Sequence, residues 1–236
     1  MQLYNMRVWL VTAFLLAVFS MALPLYAEGA SPNPENAPNL EPLKIELPQP
    51  TFSGTPLTYE SPILEITFKD RPPFMAPKGL TNVARGKAVT SSDKKKPYMG
   101  KFEMITDGKK EAEEDNLVEL RGGPQYVQID LGAGCEIFAI LMWHFFAYDR
   151  VYHDVIVQLA DDAEFTKNVR TIFNNDHDKS AGLAIGKDKE YVEKYEGRLF
   201  DAKGQKARYV RLYTNGNSTD DLNHYIEVEV FGKPAG

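Results

Sequence analysis

The chain has 236 residues, with 27 lysines and arginines against 33 aspartates and glutamates, a formal net charge of −6 at pH 7. That length suits one domain with a sizeable core plus an extension, and an acidic balance without a long basic stripe speaks against nucleic acid as a partner. Cys135 is the single cysteine, which excludes an intramolecular disulfide and leaves the core or a bound ion to stabilise the fold.

The N-terminal segment carries one basic residue, Arg7, then an apolar stretch from Val8 to Leu25, with Leu25-Tyr26-Ala27 before Glu28. It reads as a signal peptide over residues 1–27, cut after Ala27. The rival reading is an uncleaved anchor, because the stretch approaches spanning length, but Thr12, Ser20 and Pro24 interrupt it. Export places the protein as secreted, periplasmic or on the cell surface.

Residues 28–78 hold eleven of the fifteen prolines, a composition that favours an extended, polyproline-like arm. Within it, Leu43 to Leu47 and Ile63 to Phe68 carry β-favouring residues with partial alternation, so the arm reads either as short strands against the domain or as a spacer.

From Gly79 onward the strand signals are strong. Val127, Ile129 and Leu131 alternate with Gln128 and Asp130, and Ile226, Val228 and Val230 alternate with Glu227 and Glu229, each pattern giving one wet face and one core face. Ile137 to Trp143 is a continuous apolar run, as a strand covered on both faces requires, which makes Trp143 a core residue. Val155 to Leu159 adds another strand. Lys187 to Tyr195, closed by Gly197, is the best helical candidate.

Five fragments occur in a fixed order: Asn82 to Lys87 (NVARGK), Thr106-Asp107-Gly108, Tyr126 to Gly132 (YVQIDLG), Ala207 to Tyr213 (ARYVRLY) and Tyr225 to Gly232 (YIEVEVFG). Together they resemble the discoidin, or coagulation-factor type C, family over Gly79 to Lys233. The resemblance implies an all-β fold, an antiparallel, jelly-roll, galactose-binding-like β-sandwich over residues 79–233, which binds rather than catalyses. Family ligands range from sugars to phospholipids to proteins, so function has to be argued from the loops.

The resemblance also implies a structural calcium site where Asp107, in the first Asp-Gly turn, meets Glu227, which opens the last strand. Two carboxylates plus turn carbonyls suit the six to eight oxygens that calcium takes. The alternative is an Asx-turn at Asp107 and a solvated Glu227, and Lys109 and Lys110 beside the turn weigh against an ion. A second acidic stretch, Asn174 to Ser180, reads as a polar ligand-reading loop, as a metal loop lacking the later Gly and Glu spacing, or as a turn rich in Asn and Asp for backbone reasons.

Sugar recognition pairs an aromatic face with a few polar groups that fix hydroxyls. Trp143 to His153 and Asn215 to His224 offer that mixture, and the ligand-binding candidates are His144, Tyr148, Arg150, Tyr152, Asn175, His177 and Asn223. Phe145-Phe146 would suit insertion into lipid if exposed, but the acidic surroundings disfavour an anionic membrane. Asn217-Ser218-Thr219 fits a glycosylation sequon or a plain turn. No His-Glu-x-x-His, Gly-x-Ser-x-Gly or phosphate-cradling loop is present. The sequence reads as a noncatalytic module whose partner is carbohydrate or, alternatively, a protein of the cell envelope. N-terminal sequencing of the exported protein is expected to begin at Glu28; a mature protein beginning at Met1 would contradict the cleavage.

Overall fold

The computed structural model describes residues 39–50, 59–65 and 69–236. The expected signal peptide (residues 1–27), residues 28–38 and 51–58 of the arm, and Ile66 to Phe68 of the second expected arm strand lie outside the described residues.

Two very long strands organise the domain. β7 (Gln125–Trp143) and β11 (Arg198–Thr214) pair antiparallel over almost their whole lengths, from Arg198↔Met142 to Thr214↔Gln125. Both turn a corner midway, where residues 131–134 of β7 stand opposite Arg208 alone. Gly132 sits in this corner at φ +84°, a backbone region that glycine enters without the usual steric cost. Its N–H donates to Asp130 Oδ1, and Arg208 clamps the same carboxylate with two bonds of 2.8 Å.

The corner divides the sheet into two faces. The first half of β7 pairs with β5 (Val89–Ser91), while the second half of β11 pairs with β8 (Ile156–Ala160), which in turn pairs with β9 (Arg170–Asn174). Beyond the corner β7 pairs with β13 (Glu227–Pro234), whose other edge takes β4 (Thr81–Asn82). Ile129, Val210 and Leu159 from one half and Ile140, Val228 and Phe200 from the other share one buried cluster. The two halves therefore close face to face as an antiparallel β-sandwich, the expected all-β class.

The apolar run of β7 is covered on both sides, as expected. Ile140 and Met142 point into the central cluster, whereas Ala139, Leu141 and Trp143 belong to a second one with Phe145, Phe146 and Ile226. Leu43, Ile45 and Phe74 of the arm pack on that second cluster. The arm thus finishes the outer face of the sheet instead of standing off it. Its first strand is β1 (Leu40–Pro42), paired antiparallel with β3 (Met75–Pro77); the Leu43 N–H extends that pairing by one bond to the Phe74 carbonyl at 2.8 Å, and Leu43 to Leu47 forms no strand of its own. β2 (Leu64–Glu65) pairs parallel with β10 (Glu190–Tyr191).

The expected helix at Lys187 to Tyr195 does not form. Glu190–Tyr191 is a strand, because β2 offers it a backbone partner that a weakly capped helix would forgo. Gly197, at φ +66°, closes the segment for a packing reason, since a Cβ there would come within 2.6 Å of the Trp143 ring. Cys135 is buried, in keeping with a small packed hydrophobe.

A buried polar contact fastens arm to sheet. Lys110 Nζ lies 2.8 Å from Glu229 Oε1, with both side chains at least nine-tenths buried, and it also donates to the Glu46 carbonyl at 2.6 Å. Lys110 therefore turns toward the arm. Replacing it strands a buried carboxylate, which costs far more than a surface pair would. Lys110→Ala is expected to lower unfolding free energy by about 3 kcal/mol in urea titrations; a loss below ~1 kcal/mol would show that the pair is not structural.

Candidate functional site

The loop leaving β7 and the short ladder between β6 (Val118–Leu120) and β12 (Asn223–Tyr225) build one polar face with aromatic walls. Val118 and Leu120 point into the core, so the register His224↔Glu119 puts both polar side chains on the opposite face. Met99, bridged to Glu119, adds an apolar edge to that row.

Arg150 holds the face together. Its Nη1 lies 3.3 Å from Asp220 Oδ2 and 3.0 Å from His224 Nδ1, and the Tyr152 hydroxyl is 2.9 Å from the same nitrogen. A guanidinium only donates, so Nδ1 accepts, and His224 carries its proton on Nε2, which donates to Glu119 Oε2 at 3.2 Å. Burial, followed by the charge of Arg150, pushes the His224 pKa down to about 4. His224 is thus a neutral imidazole of fixed tautomer at neutral pH. Burial and the Asp220 charge shift Glu119 upward.

Beside this network stand the rings. Arg150 Cζ lies 5.3 Å from the Phe145 ring centroid, and Phe145 is 6.2 Å from Tyr148. Tyr148 is 64% exposed. The cluster thus presents an open aromatic ring next to a guanidinium and a carboxylate held in fixed positions.

The sequence candidates divide sharply. Tyr148, Arg150 and Tyr152 meet here. Asn223 sits at the rim, but its amide donates to the Arg121 and Gly123 carbonyls and its oxygen accepts from the Gly216 N–H, so its polar capacity is spent on the backbone. His144 is fully buried on another side of Tyr152, stacked on that ring at 4.1 Å and bonded to Glu193 at 2.5 Å. Asn175 is buried, while His177 is exposed and bonded to the Asp188 carbonyl, in a separate loop. In that loop Asp176 accepts from the Ser180 and Ala181 N–H groups, and Asn174 Oδ1 accepts from the Asp176 N–H, the backbone turn that Asn and Asp form on their own account.

His224, Glu119, Asp220 and Phe145 belong to the face and were not among the candidates. The signal available was period two, which puts Glu119 outward between Val118 and Leu120; the pairing that brings His224 to it is not visible in a sequence. Phe145 and Phe146 are buried, so neither is a free apolar tip, and among the described residues no helix is long and apolar enough to cross a membrane. Asn217 is buried and donates to Asp220 and the Leu222 carbonyl, the arrangement of a turn.

No family model and no curated protein sequence matches the chain. Among solved structures, it is similar to the CBM32 of AlyQ in complex with 4,5-unsaturated mannuronic acid, at 20% identity and TM-score 0.45, over 61% of this chain and 93% of that one. It is similar also to the Streptococcus pneumoniae fucose binding module SpX-3, at 17% identity and TM-score 0.44, over 64% of this chain and 97% of that one. A third, the family 89 glycoside hydrolase from Clostridium perfringens in complex with PUGNAc, gives 20% identity and TM-score 0.48 over 65% of this chain but only 15% of the hydrolase. The assignment of the sandwich rests on the strand topology given above.

The Asp107 turn and Glu227 do come together. Glu227 is fully buried, its Oε2 accepts from the Gly108 N–H at 2.9 Å, and Oε1 has no partner among the described residues. Asp107 Oδ1 accepts from the Lys109 N–H, an Asx-turn. Glu227 is therefore not a solvated strand residue. A buried carboxylate oxygen with nothing to bond, beside a second carboxylate and turn carbonyls, is a donor set that fits a hard cation. Arg85 covers Gly108 without bonding that oxygen.

Burial pushes the Glu227 pKa up to about 9 from 4.5. A carboxyl held protonated by the fold stabilises it fully below the unfolded value, and this contribution is lost as pH rises from 4.5 toward 9. In chelator, the wild type is expected to lose stability over that window relative to Glu227→Gln, measured by urea unfolding at several pH values; parallel curves would show that Glu227 is already ionised.

Proposed function

We propose that this chain is an exported, noncatalytic carbohydrate-binding module that takes a sugar on the face formed by Tyr148, Arg150 and Glu119, with the buried His224 holding Arg150 and Glu119 in position. The observation that carries the reading is the exposed Tyr148 ring beside an Arg150–His224–Glu119 network whose donors and acceptors are fixed. A sugar ring offers an apolar C–H face for an aromatic side chain and hydroxyls that match planar, pre-aimed polar groups. Because His224 is neutral, the network does not demand a charged ligand, and Asp220 and Glu119 balance Arg150.

Tyr148→Ala and Arg150→Ala are each expected to weaken retention on the polysaccharide that the wild type binds best by about tenfold, measured by affinity gel electrophoresis after a glycan array. Tyr148→Ala should leave the melting temperature in place, since the ring is exposed. A blank array in the presence of calcium, or unchanged retention in both variants, would contradict the reading.

Calcium would be held at Asp107 and Glu227, where it has a structural part. Glu227 has to give up its proton to ligate, so binding releases a proton and strengthens with pH. The rise in melting temperature on adding calcium is expected to be larger at pH 8 than at pH 5 and to vanish in Glu227→Gln; no rise at either pH would remove the site.

A second reading, a protein-interaction module of the cell envelope, is favoured by the arm. Leu40 and Met75 are both nearly half exposed on the β1–β3 ribbon, an apolar strip open to a partner. Pull-down from native envelope that yields a stoichiometric protein, with a blank glycan array, would favour it.

A further inference from the structure

The polar face does not stop at Glu119. Residues 98–99 add a third chain to the β6–β12 ladder, since the Tyr98 N–H donates to the Glu119 carbonyl at 2.8 Å and the Glu119 N–H to the Met99 carbonyl at 3.1 Å. Met99, Glu119 and His224 therefore stand in one row across three chains. Residues directly opposed on neighbouring antiparallel strands share a face of the sheet, so Met99 lies on the Glu119 side, and it is exposed.

Arg121 follows Glu119 by two residues, and side chains two apart on extended backbone share a face, about 7 Å from one another. The chain is held in line there, because Asn223 Nδ2 donates to the Arg121 carbonyl at 2.6 Å. The Arg121 guanidinium lies 4.4 Å from the centroid of the Tyr98 ring, and Tyr98 is 59% exposed. Its Nη1 donates to Asp93 Oδ2 at 2.7 Å and to the Lys96 carbonyl at 3.0 Å. Asp93 is buried, so the guanidinium is anchored under its ring. Both bonds come from Nη1, which leaves the other N–H groups of the fork for hydroxyls.

This arrangement repeats the one at the other end of the row. There an exposed tyrosine, Tyr148, stands across Phe145 from a guanidinium, Arg150, that the Asp220 carboxylate holds. Tyr98, Arg121 and Asp93 play the same three parts. Glu119 lies between the two ends; its Oε2 accepts from His224, its side chain is 17% exposed, and Oε1 remains an acceptor.

One sugar ring cannot serve both ends. The path from Arg150 to Glu119 crosses the whole His224 imidazole, and Arg121 lies a further ~7 Å along the chain. Each guanidinium already has its carboxylate, so the row asks its ligand for hydroxyls and apolar ring faces and not for charge. Resting on the reading that the Tyr148 face takes a sugar, we propose that the Tyr98–Arg121 pair is a second subsite of that face and that the ligand is a run of linked neutral sugars. Tyr98 supplies the platform, and Arg121 the donors, for the ring furthest from Tyr148.

The test is calorimetric titration of the full chain with the disaccharide and hexasaccharide of five neutral series: cellobiose and cellohexaose, and the matching chito-, manno-, malto- and galacto-oligosaccharides. The wild type is expected to bind the hexasaccharide of at least one series about tenfold tighter than its disaccharide. Tyr98→Ala should remove that gain while leaving disaccharide affinity and melting temperature in place, Tyr98→Phe should retain it, and Tyr148→Ala should weaken both lengths. Hexasaccharide affinity that survives Tyr98→Ala but falls in Tyr148→Ala would overturn the second subsite and leave the Tyr148 face standing. So would a wild-type affinity that does not rise with length, or a Tyr98→Ala loss equal at both lengths. A wild type that binds no probe would overturn the second subsite and, together with a blank glycan array, the Tyr148 face as well.

Discussion

The continuous ladder between β7 and β11 is the constraint on which the rest of the structure depends. Both strands serve both layers of the sandwich, so the corner at Gly132, clamped by Asp130 and Arg208, sets how the layers close on each other. Every element that carries the polar face is attached to these strands or to their ends. The loop holding Phe145, Tyr148 and Arg150 begins where β7 ends, and β13, which presents Glu227, lies along the far half of β7. A fault in the corner would therefore move the candidate sugar face and the Asp107–Glu227 turn together.

The strands themselves were legible. Alternation in YVQIDLG and in the last strand follows directly from period two, and the unbroken run to Trp143 announced a strand buried on both faces. What the sequence could not show was the cover over that run. Leu43, Ile45 and Phe74 come from a proline-rich stretch whose composition reads as spacer, and their docking depends on the buried Lys110–Glu229 pair. Lys110 beside the Asp107 turn had counted against an ion; in space it points to the arm. Glu190–Tyr191 was misplaced as helix for a related reason, since the partner that makes it a strand lies well over a hundred residues earlier.

The site was only partly legible, and residue type explains the division. Asn223, Asn174 and Asp176 are the kinds of residue that read ligands, but the same short side chains also bond backbone groups, and here they do so, Asn223 across to the Arg121 carbonyl and Asn174 and Asp176 within their own loop. Tyr148 and Arg150 have longer reach and end at the surface face. His144 and His224 look alike in sequence, yet one is sealed against Glu193 while the other joins Arg150 to Glu119, a difference made by the β6–β12 register. The nuclear distinction between a buried structural histidine and one that positions a binding face is set by its partners, which lie 49 and 105 residues away.

The candidate sugar face depends on His224 as a neutral, single-tautomer link between Arg150 and Glu119. Nitrogen-15 NMR of the histidine imidazoles, followed from pH 4 to 8 with and without the glycan that the wild type retains best, tests this most directly. The predicted result is a His224 ring protonated on Nε2 alone down to about pH 5, with its resonances displaced when the glycan is added. A ring that titrates near 6.5, or one that the bound glycan leaves unmoved, would contradict it.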